Sequence, residues 1–445
     1  METYTGAAKK LLEEANAREG DLIRVIHKSQ TFEGRLMPRS TYGDALHIVI
    51  KLNNGYNIGL HVEKIKGIER IGPAPPPPTH IEKEKTFSSD LPVVTIVGTG
   101  GTIASRVDYR TGAVYPAISP HEIIESAPKI AEYANIKVIE LFDIFSEDIS
   151  AKEWKKIGET VLNEFIGGVD GVVIAHGTDT LGYTAAALSF HLQNLPGPVV
   201  LVGAQRSSDR PSSDAATNLQ AAVLVAAKAN LRGVYVTMHE GMDDTSCTIL
   251  KGFNVRKMHT SRRDAFKSIN QPPAGRVTVD GRIELATPAP KRNPELRPKL
   301  VGSFSEKACL IKFFPGMDPW IVEEAVNRGV EGIVIEGTGL GHVSQKIVQT
   351  IGKTIREGVL VAMASQCIYG RTNLHVYATG RQLLAAGVIP CGAMIPETAL
   401  VKMMWALSFG RDEAEKLMRR NVLGEMPENS WITHSSPTSG GLRFG

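Results

Sequence analysis

Three short stretches of this chain bring together residue types that could do covalent chemistry. The first, VVTIVGTGGTIAS (Val93–Ser105), is a β-branched run ending in a glycine turn that holds two threonines, Thr99 and Thr102. The second is HGTDT (His176–Thr180), which also follows an apolar run and sets Thr178 beside Asp179. The third, NVRKMHTSRRDAF (Asn254–Phe266), places Lys257 in a polar loop. A threonine hydroxyl is a poor nucleophile unless a nearby base takes its proton and donors face the developing oxyanion. Thr, Asp and Lys from separate loops over one sheet edge could form that set. The rival reading, a phosphate loop, is weak. A dinucleotide fingerprint is G-x-G-x-x-G, but from Gly98 the order is G-T-G-G-T-I, and Ile103 occupies the place of the third glycine. A side chain there obstructs close helix–strand packing. No lysine of the P-loop pattern follows either.

Such turns need a scaffold that lines them up. Beyond residue 90, the runs VVTIVG, IKVIEL, GVVIAHG, PVVLVGAQ and GVYVTMH alternate with alanine-rich stretches such as TAAALSFHL and DAATNLQAAVLVAAKANL. Continuous apolar strands between helices predict a parallel sheet covered on both faces. In such sheets ligands sit beyond the carboxyl ends of the strands, where the Thr-bearing turns fall. The segment TPAPKRNPELRPKL (287–300) marks a second break, after which KACLIKFFPGM, GIVIEGTGLG and GVLVAMASQC restart the alternation. The expected organisation is a larger α/β domain with the active site over 91–290 and a smaller C-terminal α/β domain over 301–445.

The first ninety residues differ. Alanines and leucines at helical spacing over 4–17 precede the short strand-like runs DLIRVIHK, TFEGRLMPR, ALHIVIKL, YNIGLHV and IKGIERI, with Asn54-Gly55 as a hairpin signal. They predict a small β-barrel of the SH3 or Sm type over 1–75. Consecutive prolines and a charged tail make 76–90 a linker. Such barrels often bind RNA or protein; the plainer role is to orient the catalytic part. Residues 1–70 carry 11 Lys+Arg against 9 Asp+Glu, which favours neither role.

The totals narrow the field. At 445 residues the chain has room for two or three domains, and a formal net charge of +3 argues against a strongly basic nucleic-acid binder. No apolar run reaches the ~18 residues of a membrane span, and the polar N-terminus lacks the apolar core of a signal peptide, so a cytoplasmic location is expected. Cys247, Cys309, Cys367 and Cys391 lie far apart without a C-x-x-C pair, so neither a metal site nor a disulfide framework is expected.

TGGTIAS (Thr99–Ser105) and HGTDT together resemble the two signatures of the asparaginase–glutaminase family, and the resemblance extends over roughly 91–440. It implies a two-domain α/β fold and hydrolysis of a side-chain amide through an acyl-threonine. On that basis Thr102 matches the nucleophile, and Tyr115 matches the lid tyrosine that helps activate it, with Tyr109 as the competing position. Thr178 and Asp179 match the second threonine and its aspartate, and Lys257 the lysine that pairs with them. Ser146 and Glu147 match the turn that holds the α-carboxylate and α-amino groups of the substrate. Thr99 is expected to be structural, His176 a satisfied core histidine, and Arg206 a loop-ordering or capping residue more than a carboxylate ligand. GTGLGH (Gly337–His342) resembles a glycine turn of the family's C-terminal domain.

The N-terminal addition, with SQCIYGRTNL (365–374) and MIPETALVKMMWAL (394–407), resembles the branch of this family found in archaeal glutamyl-tRNA(Gln) amidotransferases. That branch implies a glutaminase that supplies ammonia to a partner, the amidotransferase E subunit, which converts Glu-tRNA(Gln) to Gln-tRNA(Gln). It implies no cofactor in this chain, with ATP and Mg on the partner, and a homodimer within a heterotetramer. A stand-alone L-asparaginase, or a binding subunit with a vestigial site, are the alternatives.

Overall fold

Alternating apolar residues near the N-terminus fold into one antiparallel sheet in the computed structural model, which describes residues 3–39, 43–52, 57–73, 90–100, 105–107, 114–116, 127–206, 212–286 and 289–428. The strands are β1 (Asp21–His27), β2 (Gln30–Leu36), β3 (His47–Leu52), β4 (Asn57–His61) and β5 (Ile65–Pro73), in the order β4-β3-β2-β1-β5. Their inward residues Ile23, Val25, Leu36, Ile48 and Ile50 are fully buried, as the period of two requires. Helix α1 (Gly6–Glu14) covers them with Ala8 and Leu12. The Tyr4 hydroxyl donates to the Met37 carbonyl at 2.7 Å and accepts from the Val49 N–H at 3.1 Å, which fastens this end to the sheet. Burial pushes that phenol up to about 12. The Asn54-Gly55 turn and most of the proline-rich segment lie outside the described residues. Even so, β3 and β4 pair antiparallel with Lys51 opposite Asn57.

The main sheet is built around five parallel strands: β6 (Val93–Gly98), β9 (Asn135–Glu140), β10 (Gly171–Ala175), β12 (Pro198–Val202) and β13 (Gly233–His239). Val172, Val173, Ile174, Val199, Val200 and Leu201 are all fully buried, so the central strands β10 and β12 are apolar throughout, whereas β9, read from sequence as another apolar run, stands at the sheet edge and mixes Lys137 and Glu140 with its apolar residues. Helices α2 (Ala151–Ile166), α3 (Leu181–His191) and α4 (Ala215–Lys228) connect these strands. The first begins at a capping pair, where the Glu153 carboxylate takes the Ser150 N–H at 3.0 Å and the Ser150 hydroxyl at 2.5 Å.

The sheet continues beyond the parallel strands. Antiparallel β14 (Ser246–Lys251), β17 (Gly275–Thr278) and β18 (Ile283–Leu285) extend it, so it is mixed, with the order β18-β17-β14-β13-β12-β10-β6-β9. Other strands are too short for periodicity to announce them. They include the pairs β7 (Ser105–Val107) with β8 (Val114–Pro116), β11 (Leu192–Gln193) with β19 (Lys299–Leu300), and β15 (Val255–Lys257) with β16 (Phe266–Ser268).

The proline-rich stretch near residue 290 is held down by Arg292. Its Nε donates to the Ala229 carbonyl at 2.7 Å, and its two terminal nitrogens reach the Asp170 and Ala226 carbonyls. After it, β20 (Ala308–Lys312), β21 (Gly332–Gly337), β22 (Leu360–Ser365) and β23 (Ile389–Pro390) form a parallel sheet. It carries helices α5 (Trp320–Asn327), α6 (Gln345–Arg356), α7 (Ala378–Ala386), α8 (Pro396–Leu407) and α9 (Arg411–Arg419). The two α/β units share a core, in which Phe190 stacks on Trp405 and Trp154 meets Phe304 edge-on, both at 5.3 Å between ring centres.

Candidate active site

Because β6 and β10 run parallel with Gly98 opposite Ala175, the residues that follow them emerge side by side at one sheet edge. Thr99 turns back there: its N–H and its hydroxyl both reach the Ala175 carbonyl, at 3.0 and 2.9 Å. It is therefore structural, as expected. Gly100 follows with φ of +94°, and a Cβ on it would lie 2.3 Å from the Ile144 carbonyl oxygen. Only glycine fits so close an approach in that backbone region. Thr102, two residues further, lies outside the described residues, as does Tyr109. Tyr115 stands in β8, its backbone opposite Arg106.

The second turn is described in full. Thr178 is 5% exposed, and its hydroxyl oxygen accepts a hydrogen bond from the Lys257 ammonium at 2.9 Å. The same ammonium donates to the Asp179 carboxylate at 2.6 Å. The Lys257 side chain is largely buried while the Asp179 carboxylate is mostly exposed. The ammonium thus sits at the floor of the edge and one carboxylate oxygen is left to face a ligand. Lys257, 79 and 78 positions along the sequence from Thr178 and Asp179, is in contact with both.

Ser146 joins them from the loop after β9. It is buried, and its carbonyl accepts the Thr180 hydroxyl at 2.5 Å. A Cβ at Gly177 would lie 2.7 Å from the Ser146 Cβ, so the glycine of HGTDT is what lets the serine reach the turn. Glu147 is exposed on the same short 3-10 turn, Ser146–Asp148.

His176 is fully buried beneath this turn. Its Nδ1 faces the Gly177 carbonyl at 2.7 Å, so it donates there. Its Nε2 then accepts from the Thr184 hydroxyl at 2.9 Å, and the Trp154 indole N–H donates to that hydroxyl at 3.0 Å. The chain of bonds is complete with a neutral imidazole, and burial pushes the pKa down to about 4. Since the unfolded chain binds a proton here more readily than the folded one, stability should fall as pH drops from the ordinary histidine value of 6.5 towards 4. The loss should reach roughly 3 kcal/mol at the acid end. Urea titrations at several pH values check this: the parent should lose more stability on acidification than His176→Gln, and parallel losses would refute it.

A neighbouring network carries no sequence motif. Asp214, fully buried at the start of α4, accepts the backbone N–H groups of Gln205 and Arg206 at 3.0 Å. Asn218 donates to Asp214 and to the Gly203 carbonyl, and its oxygen faces His239 at 2.5 Å. Asp214 thus orders the loop after β12, a role that the sequence alone assigns to Arg206; the Arg206 side chain is exposed. An aspartate just before an alanine-rich helix is the available signal.

A cavity of about 960 Å³ lies elsewhere, lined by Tyr235, Lys251, Phe253, Trp405 and Phe409. It opens near Gly233, at the amino ends of the parallel strands, opposite to the edge carrying Thr178. Among the described residues no group of three or more His, Cys, Asp or Glu could hold a metal ion, and no helix is long and apolar enough to cross a membrane.

Comparison with known proteins places this geometry. Residues 93–291 match the family profile "Asparaginase, N-terminal", and 307–418 match the "Glutaminase/Asparaginase C-terminal domain". Residues 17–71 match the "GatD N-terminal domain". The glutamyl-tRNA(Gln) amidotransferase D subunit of Pyrococcus furiosus is 49% identical over 425 residues, covering 94% of this chain and 97% of its own. That of Methanopyrus kandleri is 45% identical over 450 residues, covering 99% and 98%. The chain belongs to the family of glutamyl-tRNA(Gln) amidotransferase D subunits. Among solved structures, the thermostable L-asparaginase from Thermococcus kodakarensis superposes with a TM-score of 0.68 at 35% identity, over 75% of this chain and 99% of that one. L-asparaginase I from Vibrio cholerae gives 0.66 at 27%, over 76% and 99%. The D-subunit relatives account for nearly the whole chain, whereas asparaginases account for three quarters of it.

Proposed function

We propose that this chain hydrolyses glutamine and supplies the ammonia to a partner, the amidotransferase E subunit, which converts Glu-tRNA(Gln) to Gln-tRNA(Gln) with ATP and magnesium bound on that partner. The observation supporting it most directly is the single Lys257 ammonium shared between Thr178 and Asp179. Family membership supports the tRNA-dependent setting.

Glutamine's α-carboxylate docks at Ser146, and its α-ammonium pairs with Glu147 and the free oxygen of Asp179. The Thr102 hydroxyl attacks the side-chain amide carbon, its proton passing to Tyr115 or into the Thr178–Lys257 relay. Because Lys257 donates to the Thr178 oxygen, the hydrogen of that hydroxyl is free to point at the reacting groups. Backbone N–H groups at the strand-end turns stabilise the oxyanion. The C–N bond breaks, and the nitrogen takes the relayed proton and leaves as ammonia. Water then adds to the acyl-threonine, releasing glutamate and restoring the Thr102 hydroxyl. Ammonia in water near neutral pH is mostly protonated and non-nucleophilic, so direct delivery to the partner follows. The working form is a cytoplasmic homodimer within a heterotetramer.

An ammonia-release assay on glutamine and on asparagine, with and without the partner, ATP and Glu-tRNA(Gln), tests the reading. Glutamine hydrolysis that rises with the partner and charged tRNA is expected. Efficient asparagine hydrolysis indifferent to both would instead make the chain an L-asparaginase, a reading that the likeness to the T. kodakarensis enzyme keeps in play. Absence of ammonia under every condition would leave a binding subunit.

A further inference from the structure

We propose that the Arg256–Glu397 ion pair is a positioning device that holds the strand carrying Lys257 against the C-terminal domain, keeping the ammonium on Thr178 and Asp179. The proposal rests on the glutamine-hydrolysing reading above.

Strand β15 is three residues long and, among the described residues, pairs only with β16, outside the main sheet. So short a two-stranded ladder fixes little by itself. Neighbouring side chains on a strand point to opposite faces. Lys257 reaches the catalytic turn, and Arg256 reaches the other way, its Nε 3.1 Å from the Glu397 carboxylate in the first turn of α8. Two further bonds fasten the same seam: the Thr398 hydroxyl donates to the Phe253 carbonyl at 2.7 Å, and the Asn270 amide donates to the Ala393 carbonyl at 2.7 Å. Asn270 also accepts the Gly370 N–H at 2.8 Å. Helix α3, which starts just after Thr178 and Asp179, is drawn in as well. A Cβ at its Gly182 would lie 3.2 Å from the Val255 carbonyl oxygen. The pair therefore stands behind both halves of the relay.

Glu397 carries the second observation. Its Oε2 is buried and has no hydrogen-bond partner among the described residues. Burial pushes its pKa up, opposed by Arg256 of β15; Glu336 of β21 acts with burial and Lys312 of β20 against it. Tyr183 of α3 faces the same carboxylate, and its phenol is raised to about 12, chiefly by burial. A carboxyl group raised by folding is an increasing burden on stability as pH rises through its folded value. A half-satisfied buried carboxylate thus opposes folding at neutral pH, and holding Arg256 gives a reason for its presence.

The experiment measures ammonia release by full-length Glu397→Gln, Arg256→Met, Arg256→Lys and the Glu397→Gln/Arg256→Met double variant. Glu397→Gln and Arg256→Met should each lower kcat about 10- to 100-fold, the scale of a small misplacement, with KM within about twofold. The double variant should be no slower than the worse single one, and Arg256→Lys should keep most of the rate. The parent-to-Glu397→Gln rate ratio should narrow as pH falls and the parent's own carboxylate protonates. Glu397→Gln should melt at or above the parent. Unchanged kcat in Glu397→Gln, or a kcat loss matched by a lower melting midpoint, overturns the proposal while leaving the reading intact. Lys257→Met turning over at the parent's rate would overturn both.

Discussion

Lys257→Met is expected to lower kcat for ammonia release from glutamine by about 10²–10⁴-fold, the usual worth of a positioned proton-transfer group. The ammonium is the only described link between the Thr178 hydroxyl and the Asp179 carboxylate, and methionine keeps the bulk of the stem without the charge. Folding should be little affected. Asp179 is 70% exposed, so water takes over its lost bond, and exposed ion pairs contribute little to stability. Thr102→Val should cost at least as much, because no covalent route remains. Steady-state kinetics at saturating glutamine, with a melting curve beside each variant, checks both. A Lys257→Met protein as active as the parent would mean that the Thr178–Asp179 turn is not part of the reaction.

Lys402→Met should destabilise the chain by about 3–5 kcal/mol, the range for breaking one side of a buried ion pair. Lys402 and Glu425 are both fully inaccessible, with 2.5 Å between nitrogen and oxygen. Lys402 also donates to the Arg420 carbonyl at 2.6 Å, and Glu425 accepts the N–H groups of Val422 and Leu423. Burial pulls the lysine's pKa down and the glutamate opposes that shift. Without the ammonium, a carboxylate that is shut off from water remains without its counter-charge. The double variant Lys402→Met/Glu425→Gln should recover part of the loss. Recovery stays incomplete because the Arg420 carbonyl loses its donor, while a single amide oxygen can still take both the Val422 and Leu423 N–H groups. Urea midpoints compared across the two single variants and the double variant measure this. A Lys402→Met midpoint equal to the parent's would show that the pair contributes nothing.

The parallel strands were legible because both sheet faces are covered, which turns β10 and β12 into uninterrupted apolar runs and leaves a single polar residue, Thr95, within β6. Helices α3 and α4 were legible from their alanine content. The antiparallel extension β14, β17 and β18 was not, since its strands are short and mix polar with apolar residues. Lys402 was invisible for a different reason: in MIPETALVKMMWAL it reads as a surface lysine, and its partner lies 23 residues away. In the candidate site, Thr178, Asp179 and Lys257 were legible as residue types in strand-end turns, and the structure brings these three together. Ser146 is placed against the same turn, and Glu147 lies exposed beside it. Asp214, Asn218 and His239 went unread because their partners are backbone groups and each other, which no local spacing announces.

The buried side chain of Asn270, itself in the left-handed region with φ of +61°, is bonded at both ends to the C-terminal domain. One amide therefore works as a rivet between the two lobes, with aromatic stacking closing the seam behind it. Parting the lobes would strip that amide of both partners in a dry environment, so the body of the enzyme behaves as a fixed anvil. In the proposed reaction, glutamine would arrive and glutamate depart over the rim of the sheet.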